Sequence, residues 1–258
     1  MVNIIKIGGN VIDHPVRMAE FLQKFSVLPG KKILVHGGGN IATKMAADLG
    51  LESKMVEGRR VTDAPMRDVV TMVYGGLVNK RIVAGLQGLG CNAIGLTGAD
   101  GAAILAQKRP VRTIDYGYVG DIKKVNTPLI TLLLQNGLTP VFAPLTFDAE
   151  GHILNTNADT QASEIARALS RSESVNLVYC FEKKGVLRNA ADDTTLIPRL
   201  TPATYEQYRL EGGIYAGMIP KLDNAFAALQ GGVRKVIICE ANDLPSAVAG
   251  VAGTTLEL

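Results

Sequence analysis

The chain has 258 residues, with 27 Lys and Arg against 24 Asp and Glu, and 47% of it is apolar. That length allows one large or two small domains with ample core, and the near-neutral charge gives no footprint of nucleic acid or of an anionic membrane. No continuous apolar stretch approaches the ~18 residues of a membrane span. Lys6 and Asp13 interrupt the N-terminus, so it does not read as a signal peptide, and Cys91, Cys180 and Cys239 lack a CxxC pair and read as free thiols of a reducing cytosol.

In chain order, short β-type runs alternate with amphipathic helical runs. Val2–Ile7 is an apolar strand running into Gly8-Gly9, and Pro15–Val27 is a helix that stops before Pro29-Gly30. Lys32–His36 is a second strand, ending in Gly37-Gly38-Gly39, and Ile41–Leu49 a helix closed by Gly50. Pro65–Leu89 reads as one long helix with an apolar side, Asn92–Leu96 as a strand, and Ala102–Val125 as hairpin material. Pro128–Asn136 is a helix capped by Gly137, followed by the buried strand Thr139–Ala143. Beyond it come a helix over Asn157–Ala168, a strand over Val175–Phe181, and helices over Tyr205–Glu211 and Met218–Leu229. Strands at Lys235–Cys239 and, at the sheet edge, Thr254–Leu256 complete the order. This alternation predicts an α/β fold, a three-layer αβα sandwich around a mostly parallel sheet. No linker composition or repeat divides it, so a single domain is expected, with lobes of about 1–170 and about 171–258.

Ligands of such sheets bind beyond the carboxyl ends of the strands, where both glycine clusters fall. Successive glycines let backbone N–H groups converge on a phosphate, although a plain tight turn explains either cluster equally well. No GxxxxGK[ST] occurs. Gly37–Ala42 fits G-x-G-x-x-A, but the acidic strand end that a dinucleotide site needs about 20 residues on is missing, since Glu52–Thr62 is polar and basic. Lys6 lies inside a strand, where charge is costly unless it meets an anion, and Lys221 opens a helix, where a cation opposes the dipole. Singly, the first reads as snorkelling and the second as a surface residue. Asn155–Asp159 reads alone as an ordinary helix cap. His36 and His152 lack a third partner at ligand spacing, so no protein-held metal is expected.

Lys6-Ile7-Gly8-Gly9, His36-Gly37-Gly38-Gly39, Asn155-x-Asn157-Ala158-Asp159 and Gly217-Met218-Ile219-Pro220-Lys221, in this order, resemble the amino acid kinase superfamily. Within it, Gly58–Asp63, Val78-Asn79-Lys80 and Tyr116–Gly120 look like the N-acetylglutamate kinase family. The resemblance implies ATP-dependent phosphorylation, with Mg²⁺, of the side-chain carboxylate of an N-acyl-L-glutamate, in arginine biosynthesis. It implies Lys6 and Lys221 flanking the transferred phosphoryl group, with Asp159 orienting them. It further implies that Gly38, Gly39, Arg60 and Asn155 hold the acyl-amino acid, and that Gly8, Gly9, Gly185, Val186, Leu187 and Met218 serve the nucleotide. The chain departs from the family at Phe181-Glu182-Lys183-Lys184, where a Thr/Ser-Asp-Val run is usual, and at Ala216. Carbamate kinase, glutamate 5-kinase, an N-succinyl-glutamate kinase and a non-catalytic binding module stay open as alternatives. The resemblance also implies a cytoplasmic homodimer paired through Pro65–Leu89 and, with a strand beginning at Val2, no N-terminal helix for arginine inhibition.

Overall fold

The computed structural model describes residues 1–56, 59–189, 191–214 and 218–258. Gly58, Ala216 and Gly217 of the motifs lie outside them. Two compact units result: Met1–Lys32 with Ala162–Leu258, and Ile33–Gln161. The first strand therefore belongs with the C-terminal part of the chain, whereas the sequence reading placed it in a contiguous lobe of 1–170. The reason is a non-local pairing that periodicity cannot register.

The chain opens with β1 (Val2–Ile7), all six residues buried, followed by α1 (Gly9–Ile12) and α2 (Pro15–Ser26), which buries Phe21, Leu22 and Phe25. Next come β2 (Lys31–His36), α3 (Gly39–Asp48) and the small hairpin of β3 (Met55–Val56) and β4 (Arg59–Arg60). The stretch that reads as one long helix is three pieces. These are α4 (Ala64–Val70), capped by the Asp63 carboxylate on Met66 N, a π-helical stretch Thr71–Val78, and α5 (Asn79–Gly88). Gly75-Gly76 lowers the resistance to the wider turn, and π-helical turns change which side chains face inward. The whole run 64–88 is long and apolar enough, by length and composition, to cross a membrane, although Met66, Val69, Val70, Val73, Val78, Ile82 and Leu86 are buried inside the fold.

β5 (Ala93–Leu96) precedes the antiparallel pair β6 (Ile104–Lys108) and β7 (Gly120–Val125), whose register shifts at Leu105/Ala106. α6 (Thr127–Gln135) and β8 (Thr139–Phe142) follow, and β2, β8 and β5 pair in parallel in that order. β9 (Leu145–Phe147) and β10 (Ile153–Asn155), two short strands that lack an alternating pattern long enough to read, join β6 and β7 in a separate four-stranded sheet.

α7 (Ala158–Leu169) leads to β11 (Val175–Phe181), buried over six of its seven residues. Then come β12 (Arg199–Leu200), α8 (Pro202–Leu210) with a Thr201/Thr204 capping box, α9 (Ile219–Gln230) and β13 (Lys235–Glu240). α10 (Leu244–Val248) and β14 (Thr254–Leu256) close the chain. In this unit β1 and β13 flank β11 in parallel, residue for residue from Val2↔Val175 to Ile7↔Cys180 on one side. β14 runs antiparallel to β13 and is covered by β12, so it is not the edge strand expected from sequence. A two-residue strand such as β12 is too short to announce itself.

Candidate active site

In the first unit two lysines approach Phe181, the last residue of β11. Lys6, the fifth residue of β1, is only 7% exposed and stands in register with Tyr179. Its Nζ lies 5.4 Å from the centroid of the Phe181 ring and 4.0 Å from where a Gly8 Cβ would be, so the ammonium group turns back over the Gly8 turn. Gly9 opens α1 behind it. Lys221, the third residue of α9, brings its Nζ to 3.8 Å from the same ring centroid. Met218, half-buried, immediately precedes that helix. Tyr179 stacks on Phe181 at 6.1 Å and 13° between planes. The two lysines thus approach one aromatic ring, which the motifs do not contain. Phe181 could be flagged from sequence only as a departure.

Gly185, Val186 and Leu187 are buried scaffold. Val186 and Leu187 are buried, Val186 N donates to Thr254 Oγ1 at 2.8 Å, Val186 O accepts from Ile197 N, and Leu187 bridges to Leu196. Gly185 packs against Thr254 and Leu196. The segment therefore fastens the chain after β11 to β14.

The second unit contains an open cleft of about 190 Å³, bordered by Gly37–Gly39, Arg60, Tyr74 and Asn155. Gly38 has φ +146°, a conformation L-residues rarely adopt, and a Cβ there would press on the Tyr74 ring at 3.2 Å. Gly39 starts α3. Arg60 is 6% exposed: Nη2 donates to Gly39 O and to Thr43 Oγ1, each at 2.8 Å, and Nη1 donates to Ser53 Oγ. Its Nε is buried with no hydrogen-bond partner among the described residues. The sequence offered a surface arginine as the plain alternative; the structure instead buries the guanidinium at the cleft wall. Burial pushes the Tyr74 phenol up, while the positive charge of Arg60 pulls it down. Tyr74 is on the π-helical stretch, and the preceding sequence reading missed it; the Gly75-Gly76 pair was the only local signal.

Three of the quoted motifs meet in this unit. Thr62 N donates to Tyr116 O and Tyr118 N to Thr62 O, at 2.9 and 2.6 Å. Gly117, at φ +70°, allows this approach, because a Cβ would fall 2.2 Å from Thr62 O. Asn155 N donates to Tyr118 O, and Asn155 Nδ2 donates to Thr62 Oγ1 at 3.0 Å. Asn157 caps α7 through Oδ1 on Thr160 N, which holds the half-buried Asp159 in the first turn.

His36, wholly buried, braces the glycine cluster from behind. Its Nδ1 lies 2.7 Å from Gly37 O and its Nε2 3.2 Å from Asn79 Nδ2, which also donates to Val141 O. Lys80 Nζ donates to Asn79 Oδ1, so the amide must present its NH₂ to His36, and the imidazole proton sits on Nδ1. Burial pushes His36 down from 6.5 to about 4, the Gly37 carbonyl opposes this, and the charge on Lys80 adds to it.

The model of the amino acid kinase family matches residues 1–240. The chain belongs to the amino acid kinase family. It is 54% identical over 254 residues to the acetylglutamate kinase of Bacteroides thetaiotaomicron, covering 98% of this chain and 97% of that one. It is 57% identical over 242 residues to the acetylglutamate kinase of Cytophaga hutchinsonii, covering 93% and 92%. Among solved structures, carbamate kinase from Giardia lamblia bound to AMP-PNP shares the fold at a TM-score of 0.72 and 15% identity, over 99% of this chain and 98% of that one.

Proposed function

We propose that the chain transfers the γ-phosphoryl group of ATP to the side-chain carboxylate of N-acetyl-L-glutamate, yielding the acyl phosphate and ADP, as a cytoplasmic step of arginine biosynthesis. The observation that carries this reading is the buried Arg60 guanidinium on the wall of a cleft flanked by Gly38 and Asn155, a setting that suits the α-carboxylate of an acylated amino acid. The names of the relatives support it.

The chemistry requires little of the protein beyond placement and charge. A glutamate carboxylate with a pKa near 4.3 is already ionised at neutral pH, so no general base is needed. The bond from γ-phosphorus to the β-bridging oxygen breaks, one from phosphorus to the carboxylate oxygen forms, and no proton moves. Catalysis is then positioning plus stabilisation of negative charge. In this reading Lys6 and Lys221 face the phosphoryl oxygens and the leaving oxygen, and Asp159 orients the ammonium groups. Gly8 and Gly9 supply N–H donors, while Gly185, Val186, Leu187 and Met218 border the nucleotide. Gly38, Gly39, Arg60 and Asn155 hold the acyl-amino acid.

The donor set fits a Mg²⁺ that arrives on phosphate oxygens, where it offsets their charge, better than one caged by protein. Among the described residues the grouping of three metal-capable side chains is Asp148, Glu150 and His152, at the β9–β10 turn, and Asp148 Oδ1 already accepts from the Glu150 and His152 amides. At the lysines the carboxylate assigned is Asp159. A second copy of the chain is assigned to the apolar helical run 64–88, on which Met72 is exposed.

A second acceptor is favoured by one feature: Arg59 and Arg109 line the same cleft as Arg60. An N-succinyl group would present a further carboxylate to them. ADP release measured side by side with N-acetyl- and N-succinyl-L-glutamate, with Mg²⁺ and with excess chelator, tests the proposal. Metal-dependent turnover of the acetyl substrate is expected; turnover of neither acyl-glutamate would overturn it.

A further inference from the structure

The aromatic ring at position 181 is not accounted for by the reaction as proposed. It is the last residue of β11, carries no charge, and forms no part of the family motifs. Both candidate ammonium groups nevertheless lie within the ~6 Å over which a ring quadrupole attracts a cation, Lys221 Nζ at 3.8 Å and Lys6 Nζ at 5.4 Å from its centroid. The two lysines reach it from different elements, β1 and the first turn of α9. The ring also stacks on Tyr179.

We propose that Phe181 is a positioning residue of the phosphoryl-transfer site, an aromatic platform that fixes the ammonium groups of Lys6 and Lys221 for the phosphate oxygens. This rests on the assignment of those two lysines to the transferred group. Like charges repel, and holding a long side chain in one geometry costs rotamer entropy that each added contact helps to offset. A second carboxylate, at position 181 and in addition to the assigned Asp159, would neutralise more of the charge that the transition state needs and would compete with phosphate for their N–H donors. A π-face attracts a cation without adding a negative charge. It therefore restrains both lysines and leaves their electrostatic effect on the phosphoryl group intact. Tyr179, in register with Lys6 and stacked on the ring, limits the tilt of the platform.

The test uses the full-length protein with Phe181→Leu, Phe181→Tyr and a graded series in which the ring at 181 carries one, two or three fluorine atoms. Fluorination weakens the negative face of the ring while barely changing its size, so these variants fold as the parent does. Cation–π attraction of the usual strength makes Phe181→Leu lose roughly 5- to 30-fold in kcat, with the KM for the acyl-glutamate unchanged. Phe181→Tyr should keep near-parental kcat. Across the fluorinated series log kcat should fall stepwise with each fluorine. A loss in Phe181→Leu with no response to fluorine would show simple packing and overturn the proposal, as would full activity in every variant. Lys6→Ala and Lys221→Ala are measured alongside. If they lose turnover while the ring variants do not, only the platform fails; if they keep full turnover, the assignment of the lysines has failed first.

Discussion

His36 should make the second unit acid-sensitive in a way that one substitution removes. The imidazole is buried behind Gly37–Gly39, neutral, with its proton directed at Gly37 O and its lone pair accepting from Asn79. Burial lowers it from 6.5 to about 4. In the unfolded chain it takes up a proton near 6.5, so the fold is favoured fully above that pH, and the advantage is lost as pH falls from 6.5 toward 4. A displacement from 6.5 to about 4 corresponds to about 3 kcal/mol below both values and to about 2 kcal/mol at pH 5. Urea unfolding at about pH 7.5 and pH 5 should be compared between the parent and His36→Gln, which cannot titrate. The parent should lose about 2 kcal/mol more than the variant over that interval, whatever the variant loses at neutral pH through its altered hydrogen bonds. Carboxylates such as Asp148 and Glu173, both held below their usual values, contribute equally to both proteins and cancel. Equal losses in the two would refute the tautomer and the burial argument together.

Arg60→Ala should raise the acyl-glutamate KM by about 10- to 100-fold with a smaller effect on kcat, since the guanidinium is assigned to a part of the substrate that does not react; steady-state kinetics with ATP saturating checks this. Lys221→Ala should lower kcat by about 10²–10³ at saturating substrates, as expected for loss of a preorganised donor to developing charge, with single-turnover measurement separating chemistry from release. Gly117→Ala should destabilise the protein by about 2 kcal/mol or more, because φ +70° and the Thr62 carbonyl both oppose a Cβ. Its thermal midpoint should fall, and its acceptor KM should rise as Thr62 and Asn155 lose their alignment.

The strands and helices that position these residues were mostly legible in the sequence, because β1, β2, β11 and β13 are apolar runs ended by glycine or polar residues, and α2, α6 and α7 carry periodic faces. The grouping of strands was not. Nothing local to Val2–Ile7 reveals that Val175–Phe181 pairs with it. The π-helical stretch was hidden for a related reason: an apolar stripe over 65–89 is compatible with either helix type, and the difference lies in backbone hydrogen bonding around Gly75-Gly76. For the site, Lys6 stood out as a charge inside a strand, whereas Lys221, the glycine clusters and Asn155 each had a plain structural reading and pointed to a site only as a set, through the family motifs. Arg60 did not, because an arginine beside an arginine looks like solvated surface until Gly39, Thr43 and Ser53 are seen to surround it. Phe181 looked like strand core, and only the cations above it give it another meaning.

The pairing of β1 with β11 also sets an order of events for a chain leaving the ribosome. Asn3 and Asn176, joined side chain to side chain within that pairing, are 173 positions apart. The unit Ile33–Gln161 is contiguous and is made before residue 176, so it can begin to collapse during synthesis at about 5–20 residues per second. The first strand, buried at every position in the finished protein, waits through that interval with the edge that meets β11 open. That open edge is a template for other strands, and its pairing with β11 is a long-range contact of the kind that slows folding.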